Sequence, residues 1–128
     1  ITGFGLARHA QNLSLRLGAS GCSLDLSSLP LLDGAIALLS SGIRSSLHDQ
    51  NRAAVQIDAS GLHDDAATHF DAHVETLFDP QTSGGLLGVF SRDAAKSLVA
   101  TLNKDVAAAA IIGKLDFTNA GIHLTENM

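Results

Sequence analysis

The segment Asp79-Pro80-Gln81-Thr82-Ser83-Gly84-Gly85-Leu86-Leu87 constrains this chain more than any other. Pro80 fixes its own φ and pushes Asp79 towards an extended conformation, while Gly84 and Gly85 permit positive φ and a close approach by another backbone or a ligand. Thr82 and Ser83 put two hydroxyls at the same point. Consecutive backbone N–H groups in such a turn can form an anion-holding concavity, but a tight loop into a strand uses the same residues. On residue chemistry alone the plain loop is the stronger reading.

The flanking pattern supplies the elements. Leu6, Ala10, Leu13 and Leu17 share a helical face, so a first helix is expected over residues 6 to 17, stopped by Gly18. Residues 21 to 26 read as a strand, and Leu31 to Ser41 as a helix whose start Gly34 weakens and whose end Gly42 marks. Ile43 to Arg52 is polar and reads as a long loop before a short strand from Ala53 to Ile57. Leu62 to Leu77 is helix-compatible, though irregular. Leu86 to Phe90 is expected to form an apolar strand, and Ser91 to cap a helix from Arg92 to Asn103 that buries Leu98, Val99 and Leu102. Ala107 to Leu115 and Ile122 to Thr125 read as closing strands joined by a turn through Asn119 to Gly121. Strands and helices mixed without a repeat imply the α+β class: a layered domain with a mixed β-sheet packed by helices.

The 128 residues suit one domain, 1–128, long enough to bury a real core. With no Trp or Tyr and only five Phe, that core must be aliphatic. A formal charge of -5, with eight scattered basic residues, argues against nucleic acid as a partner. Cys22 is the single cysteine, which excludes an internal disulfide and fits a reducing compartment. Its apolar neighbours make it a buried strand residue rather than a nucleophile. No apolar run reaches the ~18 residues that span a bilayer, and no basic-then-apolar leader opens the sequence, so no membrane is expected and the cytoplasm is the default location.

The nonapeptide from Asp79 to Leu87 resembles the hallmark segment near the C-terminus of the selenophosphate synthetases, the selenide, water dikinases. Ile1-Thr2-Gly3-Phe4-Gly5-Leu6, with His9 after it, resembles the motif that opens the C-terminal domain of that family. Leu29-Pro30-Leu31-Leu32 and Ile111-Ile112-Gly113-Lys114 fit more weakly, and Ala7-Arg8 departs from the usual apolar-Gly pair before His9. The resemblance covers essentially the whole chain but only the C-terminal half of the family's length. It implies the C-terminal domain of the aminoimidazole ribonucleotide synthetase-like type. The parent enzyme would be a transferase, a kinase converting ATP, selenide and water to selenophosphate, AMP and orthophosphate with Mg²⁺. It would act as a cytoplasmic homodimer. The family's reactive cysteine or selenocysteine, its lysine and its metal-binding aspartates lie in an N-terminal ATP-binding domain or immediately ahead of Ile1. This chain is therefore expected to partner that domain, to need no ATP, Mg²⁺ or other cofactor alone, and to be inactive alone. An Ile at position 1 fits an excised or proteolysed domain.

By this resemblance Thr2, Gly3, Phe4, Gly5, Thr82, Ser83, Gly84 and Gly85 are the candidate cleft-lining or phosphate-proximal residues, and no catalytic or metal-ligating residue is expected. Gly3 and Gly5 admit two readings: the amides opening the helix face a phosphate, or the glycines let Phe4 pack on the missing domain. His69 and His73 stand at a metal-ligand spacing with His63 and Asp71 near, yet Asp71 is misplaced for an H-E-x-x-H site and a solvated helix face is preferred. Asp64-Asp65 is better read as meeting a helix dipole than as binding Mg²⁺. The alternatives are another ATP-using superfamily member, such as a thiamine-phosphate kinase, or a non-catalytic regulatory or binding relative.

Overall fold

Every residue of β1 (Gly21–Asp25) is buried, which makes it the natural centre of the sheet. The computed structural model of the chain describes residues 1–62, 67–105 and 108–126, without the side chains of 67–71. The sheet has four strands in the order β2-β4-β1-β3, where β2 is Ile57–Asp58, β3 Gly113–Asp116 and β4 Gly121–Thr125. β4 runs parallel to β1 from the pair Gly21↔Gly121 to Asp25↔Thr125, and β3 antiparallel from Gly21↔Asp116 to Leu24↔Gly113. β2 adds a short parallel edge, Ile57↔Ile122. The two closing strands expected from sequence thus exist, but they are not neighbours, because β1 lies between them. Residues 117 to 120 cross over the start of β1, where a Cβ on Gly21 would sit 2.7 Å from the Asn119 carbonyl oxygen. Asp116 fixes this crossing: Oδ1 accepts from the amides of Thr118 (2.7 Å) and Asn119 (2.9 Å), and Oδ2 from Asn119 Nδ2. Those donors, the Asn119 amide first, hold its carboxyl far below the usual carboxylate range.

The described residues form five α-helices: α1 (Gly5–Arg16), α2 (Ala35–Ser40), α3 (His48–Ala53), α4 (Ala67–Thr76) and α5 (Arg92–Asp105). Cys22 and Leu24 of β1 lie beside Ile122 and Leu124 of β4, and period-2 alternation puts all four on one face. Leu6, Ala7 and Ala10 of α1, with Leu26, Val55, Val74, Leu77 and Phe78, complete the core. It is aliphatic except for Phe78, which is fully buried and contributes about 1.5–3 kcal/mol of transfer free energy. The mixed sheet and its helices give the α+β layered class read from sequence. Cys22 is buried on its strand, and burial, opposed by a hydrogen bond with Ser14, pushes its thiol pKa up.

Several boundaries differ from the sequence reading. α1 ends one residue earlier, and its buried face turns from Leu17, which is 49% exposed, to Ser14, whose hydroxyl donates to the Ala10 carbonyl at 2.8 Å. The chain leaves the helix through Gly18 at φ +75, where Ala19 N–H reaches Ser14 O and Gly18 N–H reaches Leu15 O. That is a Schellman motif, and Gly42 and Ile43 repeat it at the end of α2. α2 starts only at Ala35, because Gly34 occupies its cap in the left-handed region. The stretch 43 to 52 is not all loop, since α3 forms within it, and β2 is confined to two residues.

The expected strand from Leu86 to Phe90 is absent. Neither sheet edge takes it up, its backbone makes no backbone hydrogen bond among the described residues, and Leu86 is fully exposed. Gly88 leaves a gap that the Phe90 ring fills, with Cζ 3.1 Å from a Cβ placed there. α5 forms as expected but buries none of its residues; Leu98 and Val99 are half-buried and Leu102 is exposed. β3 begins at Gly113, not Ala107, after a loop in which the Asn103 amide grips both the N–H and the carbonyl of Ala109. His63, Asp64 and Asp65 lie outside the described residues, as do the side chains of His69 and Asp71. No described helix is long and apolar enough to cross a membrane.

Candidate functional site

Two loops made distinctive by their glycines meet at the start of α1. Thr2 anchors the first: its carbonyl accepts from Gly5 N–H at 3.0 Å, and the same oxygen accepts from Gln81 N–H of the second at 3.1 Å. The Leu77 carbonyl, just ahead of the second loop, takes Ala7 N–H at 2.9 Å, and the Gly85 carbonyl takes the Ile1 amino group at 2.6 Å. The structure therefore brings Thr2, Gly3, Phe4 and Gly5 together with Thr82, Ser83, Gly84 and Gly85 along one seam. Thr2, Phe4, Thr82, Ser83 and Gly85 are exposed along it, Gly3 and Gly84 are half-buried, and Gly5 is buried.

The glycines divide the work unevenly. Gly5 has φ +72, and a Cβ there would lie 2.7 Å from the Leu77 carbonyl oxygen and 2.9 Å from the Phe78 Cα. This is the close approach anticipated from sequence. Gly3, by contrast, has nothing within 4 Å of its Cβ position. In the second loop Ser83, not either glycine, takes a positive φ, of 53. Gly84 is required for space, because a Cβ there would meet the Gln81 side chain and lie 2.9 Å from the Ile1 carbonyl oxygen.

Two of the amides that open α1, those of Gly5 and Ala7, are already taken by protein carbonyls, which narrows the anion-holding reading of that helix start. What the seam offers a ligand or another domain is hydroxyl and peptide chemistry. Thr2 Oγ1 lies 3.0 Å from His9 Nε2, and the His9 ring meets Phe4 edge-on at 6.5 Å between centroids, so His9 orients both side chains of the first loop. Phe4 is 64% exposed and offers an apolar face beside the hydroxyls.

Behind the seam stands α3, which the sequence reading missed. Asn51 donates both protons of Nδ2 to main-chain carbonyls, to Gly3 O at 2.8 Å and to Phe78 O at 3.0 Å. One helical turn away, buried His48 bonds through Nε2 to Oε2 of buried Glu75, and Arg52 reaches Glu75 Oε1 at 3.3 Å while its guanidinium covers the Phe78 ring at 4.7 Å. Residues i, i+3 and i+4 share a helix face, so His48 and Arg52 meet Glu75 near the end of α4 while Asn51 meets the two carbonyls beside it. Apolar periodicity is blind to such a helix, because the face it buries is polar. The usable signals were charges that suit a helix dipole, Asp49 in the first turn and Arg52 in the last.

Beside Asn51 a groove of about 350 Å³ is lined by Gly3, Phe4, Arg8, Leu47, Gln50 and Ala54, and Arg8 spends a guanidinium N–H on the Ala54 carbonyl at 3.2 Å. Among the described residues no group of three or more His, Cys, Asp or Glu side chains is placed to hold a metal ion.

No protein-family model matches the chain. Individual relatives do. The chain is 33% identical to a selenide, water dikinase of Citrifermentans bemidjiense over 116 residues, which are 91% of this chain and 32% of that protein. Against the selenide, water dikinase of Shewanella sp. (strain MR-4) it is 40% identical over 117 residues, 91% of this chain and 31% of the relative. A third, from Caldanaerobacter subterraneus, is 31% identical over 88% of this chain and 31% of its own length. The chain thus spans about a third of the length of the relatives it matches, and the resemblance read from its two motifs extends over nearly all of it.

Proposed function

We propose, from the premise that this chain is a relative of the selenide, water dikinases over nine-tenths of its length, that it is the C-terminal domain of such an enzyme, of the aminoimidazole ribonucleotide synthetase-like type. The whole protein converts ATP, selenide and water to selenophosphate, AMP and orthophosphate. Its ATP-binding, Mg²⁺-binding and selenium-handling groups belong to the portion that this chain does not match. Mg²⁺ there offsets phosphate charge. This domain closes the cleft from the other side, with Thr2 to Gly5 and Thr82 to Gly85 facing the N-terminal domain and the phosphates, and alone it is inactive. The working enzyme is a cytoplasmic homodimer.

The observation that carries this reading is the seam itself. Two loops far apart in sequence are bonded main chain to main chain and leave small, hydroxyl-bearing residues exposed together. A surface of that kind allows close approach of a phosphate or of a neighbouring domain, because it has few side-chain atoms to displace.

Phosphorus NMR of ATP and Mg²⁺ with the full-length protein, with and without selenide, tests it, using the 128-residue chain as a control. Selenide-dependent selenophosphate, AMP and orthophosphate from the whole protein, and none from the chain, are expected. ADP, or no turnover, would reassign it to a sister kinase or a non-catalytic relative. In the full-length enzyme Gly84→Val should reduce turnover, because its side chain displaces Gln81 and presses on the Ile1 carbonyl; unchanged kinetics would count against the cleft-lining role.

A further inference from the structure

We infer that Asn51 is a positioning residue for this site: its side-chain amide sets the spacing of the two loops by binding both at once. The inference rests on the reading of those loops as cleft-lining and deepens it. Gly3 and Phe78 belong to separate loops, and a single nitrogen, Asn51 Nδ2, spans their carbonyls at 2.8 and 3.0 Å. Every other link between the loops that is described above runs through main chain. Because both N–H groups of one planar amide are used, the distance between the two carbonyls follows the geometry of that amide. Among uncharged side chains only Asn and Gln carry two such donors on one nitrogen, and Gln would set them a methylene further out. Asp has the same shape and no N–H, and it would set carboxylate oxygens against two carbonyl oxygens.

α3 is built to hold that amide still. His48 and Arg52, on the same face, are fastened to Glu75 near the end of α4, and Arg52 also covers Phe78, the residue whose carbonyl Asn51 binds. Asn51 is buried, yet it adjoins the groove lined by Gly3 and Phe4, so a small movement of its amide is transmitted to the exposed rim of the first loop. In a site where reacting groups must be held to within an ångström, a misplacement of that size costs about 10²-fold in rate.

The test compares Asn51→Ala, the isosteric Asn51→Asp and the control Gly18→Ala in the full-length enzyme. Melting temperature, ATP KM, kcat for selenophosphate and hydrogen exchange of peptides spanning 1–5 and 79–85 are read for each. The expected result is that both Asn51 variants lose about 10²-fold in kcat, with little change in ATP KM and faster exchange confined to those two peptides. Gly18→Ala, strained only at the far end of α1, should lower the melting temperature while leaving kcat within about threefold, a difference below about 0.7 kcal/mol. Equal kcat losses in all three variants, tracking the melting temperature, would overturn the inference, since Asn51 would then only help α3 fold. Unchanged exchange at both loops in Asn51→Asp would overturn it too, and that readout does not depend on the enzyme being a dikinase.

Discussion

Replacing Gly5 by Ala should be among the most damaging single-methyl additions available to this chain, and its cost can be worked from the structure. At φ +72 an L-residue carries a left-handed penalty of about 1–2 kcal/mol. The added Cβ would start 2.7 Å from the Leu77 carbonyl oxygen and 2.9 Å from two backbone carbons of Phe78, so the Leu77–Phe78 backbone must retreat. It cannot do so freely, because both side chains are fully buried. Overpacking of this kind costs about 1–3 kcal/mol, and loosening the Ala7 N–H to Leu77 carbonyl bond costs about 1 kcal/mol. The total is about 4 kcal/mol, a large part of the 5–15 kcal/mol typical of whole domains. Gly18→Ala is the matched control: its φ is +75, and nothing lies within 4 Å of its Cβ position, so only the backbone penalty applies. Urea unfolding followed by circular dichroism measures both. With a denaturant slope of about 1–3 kcal/mol per molar, the midpoint of Gly5→Ala should fall about 1–3 M below that of Gly18→Ala. Equal midpoints would refute the close approach of the two loops.

Glu75→Leu should destabilise the chain by about 3 kcal/mol, because it strips the buried His48 of its partner and releases Arg52; thermal denaturation would show it, and a change below about 0.5 kcal/mol would contradict the pairing. The Cys22 thiol, raised by burial, binds its proton more tightly folded than unfolded. Stability is therefore unaffected by this group below the ordinary thiol value of about 8.5 and declines as pH rises above it, and Cys22→Ala should flatten that alkaline slope in pH-dependent unfolding. Leu86→Ser should leave the stability of the 128-residue chain within about 0.5 kcal/mol, since Leu86 is fully exposed; a loss above 1 kcal/mol would mean that the segment is packed.

What the sequence made legible was whatever depends on local chemistry. Gly18 and Gly42 end helices where their lack of a Cβ said they would, Cys22 is buried as its apolar neighbours implied, and the two glycine-bearing loops announced themselves by composition. What it hid depends on partners far along the chain. Nothing local to Gly113–Asp116 and Gly121–Thr125 says that β1 will slot between them. The apolar run from Leu86 to Phe90 has strand propensity, but propensity makes no strand without a neighbour to pair with. α3 escaped for the opposite reason. Its buried residues, His48 and Asn51, are held by hydrogen bonds rather than by apolar contact, so hydrophobic periodicity gave no trace of it.

The threading of β1 between β3 and β4 bears on how the chain is made. Both neighbours of residues 21–25 lie in residues 113–125, at the far end of the sequence. At synthesis rates of about 5–20 residues per second, β1 leaves the ribosome roughly 5–20 s before either of them does. Through that interval a strand carrying Cys22 and Leu24 has both edges open, and the sheet can assemble only once residues 113–125 emerge. Non-local pairing of this kind is slow and exposes strand edges to other chains. Translation stalled just short of Gly121 would leave a polypeptide that has every described helix and lacks a strand from the middle of its sheet.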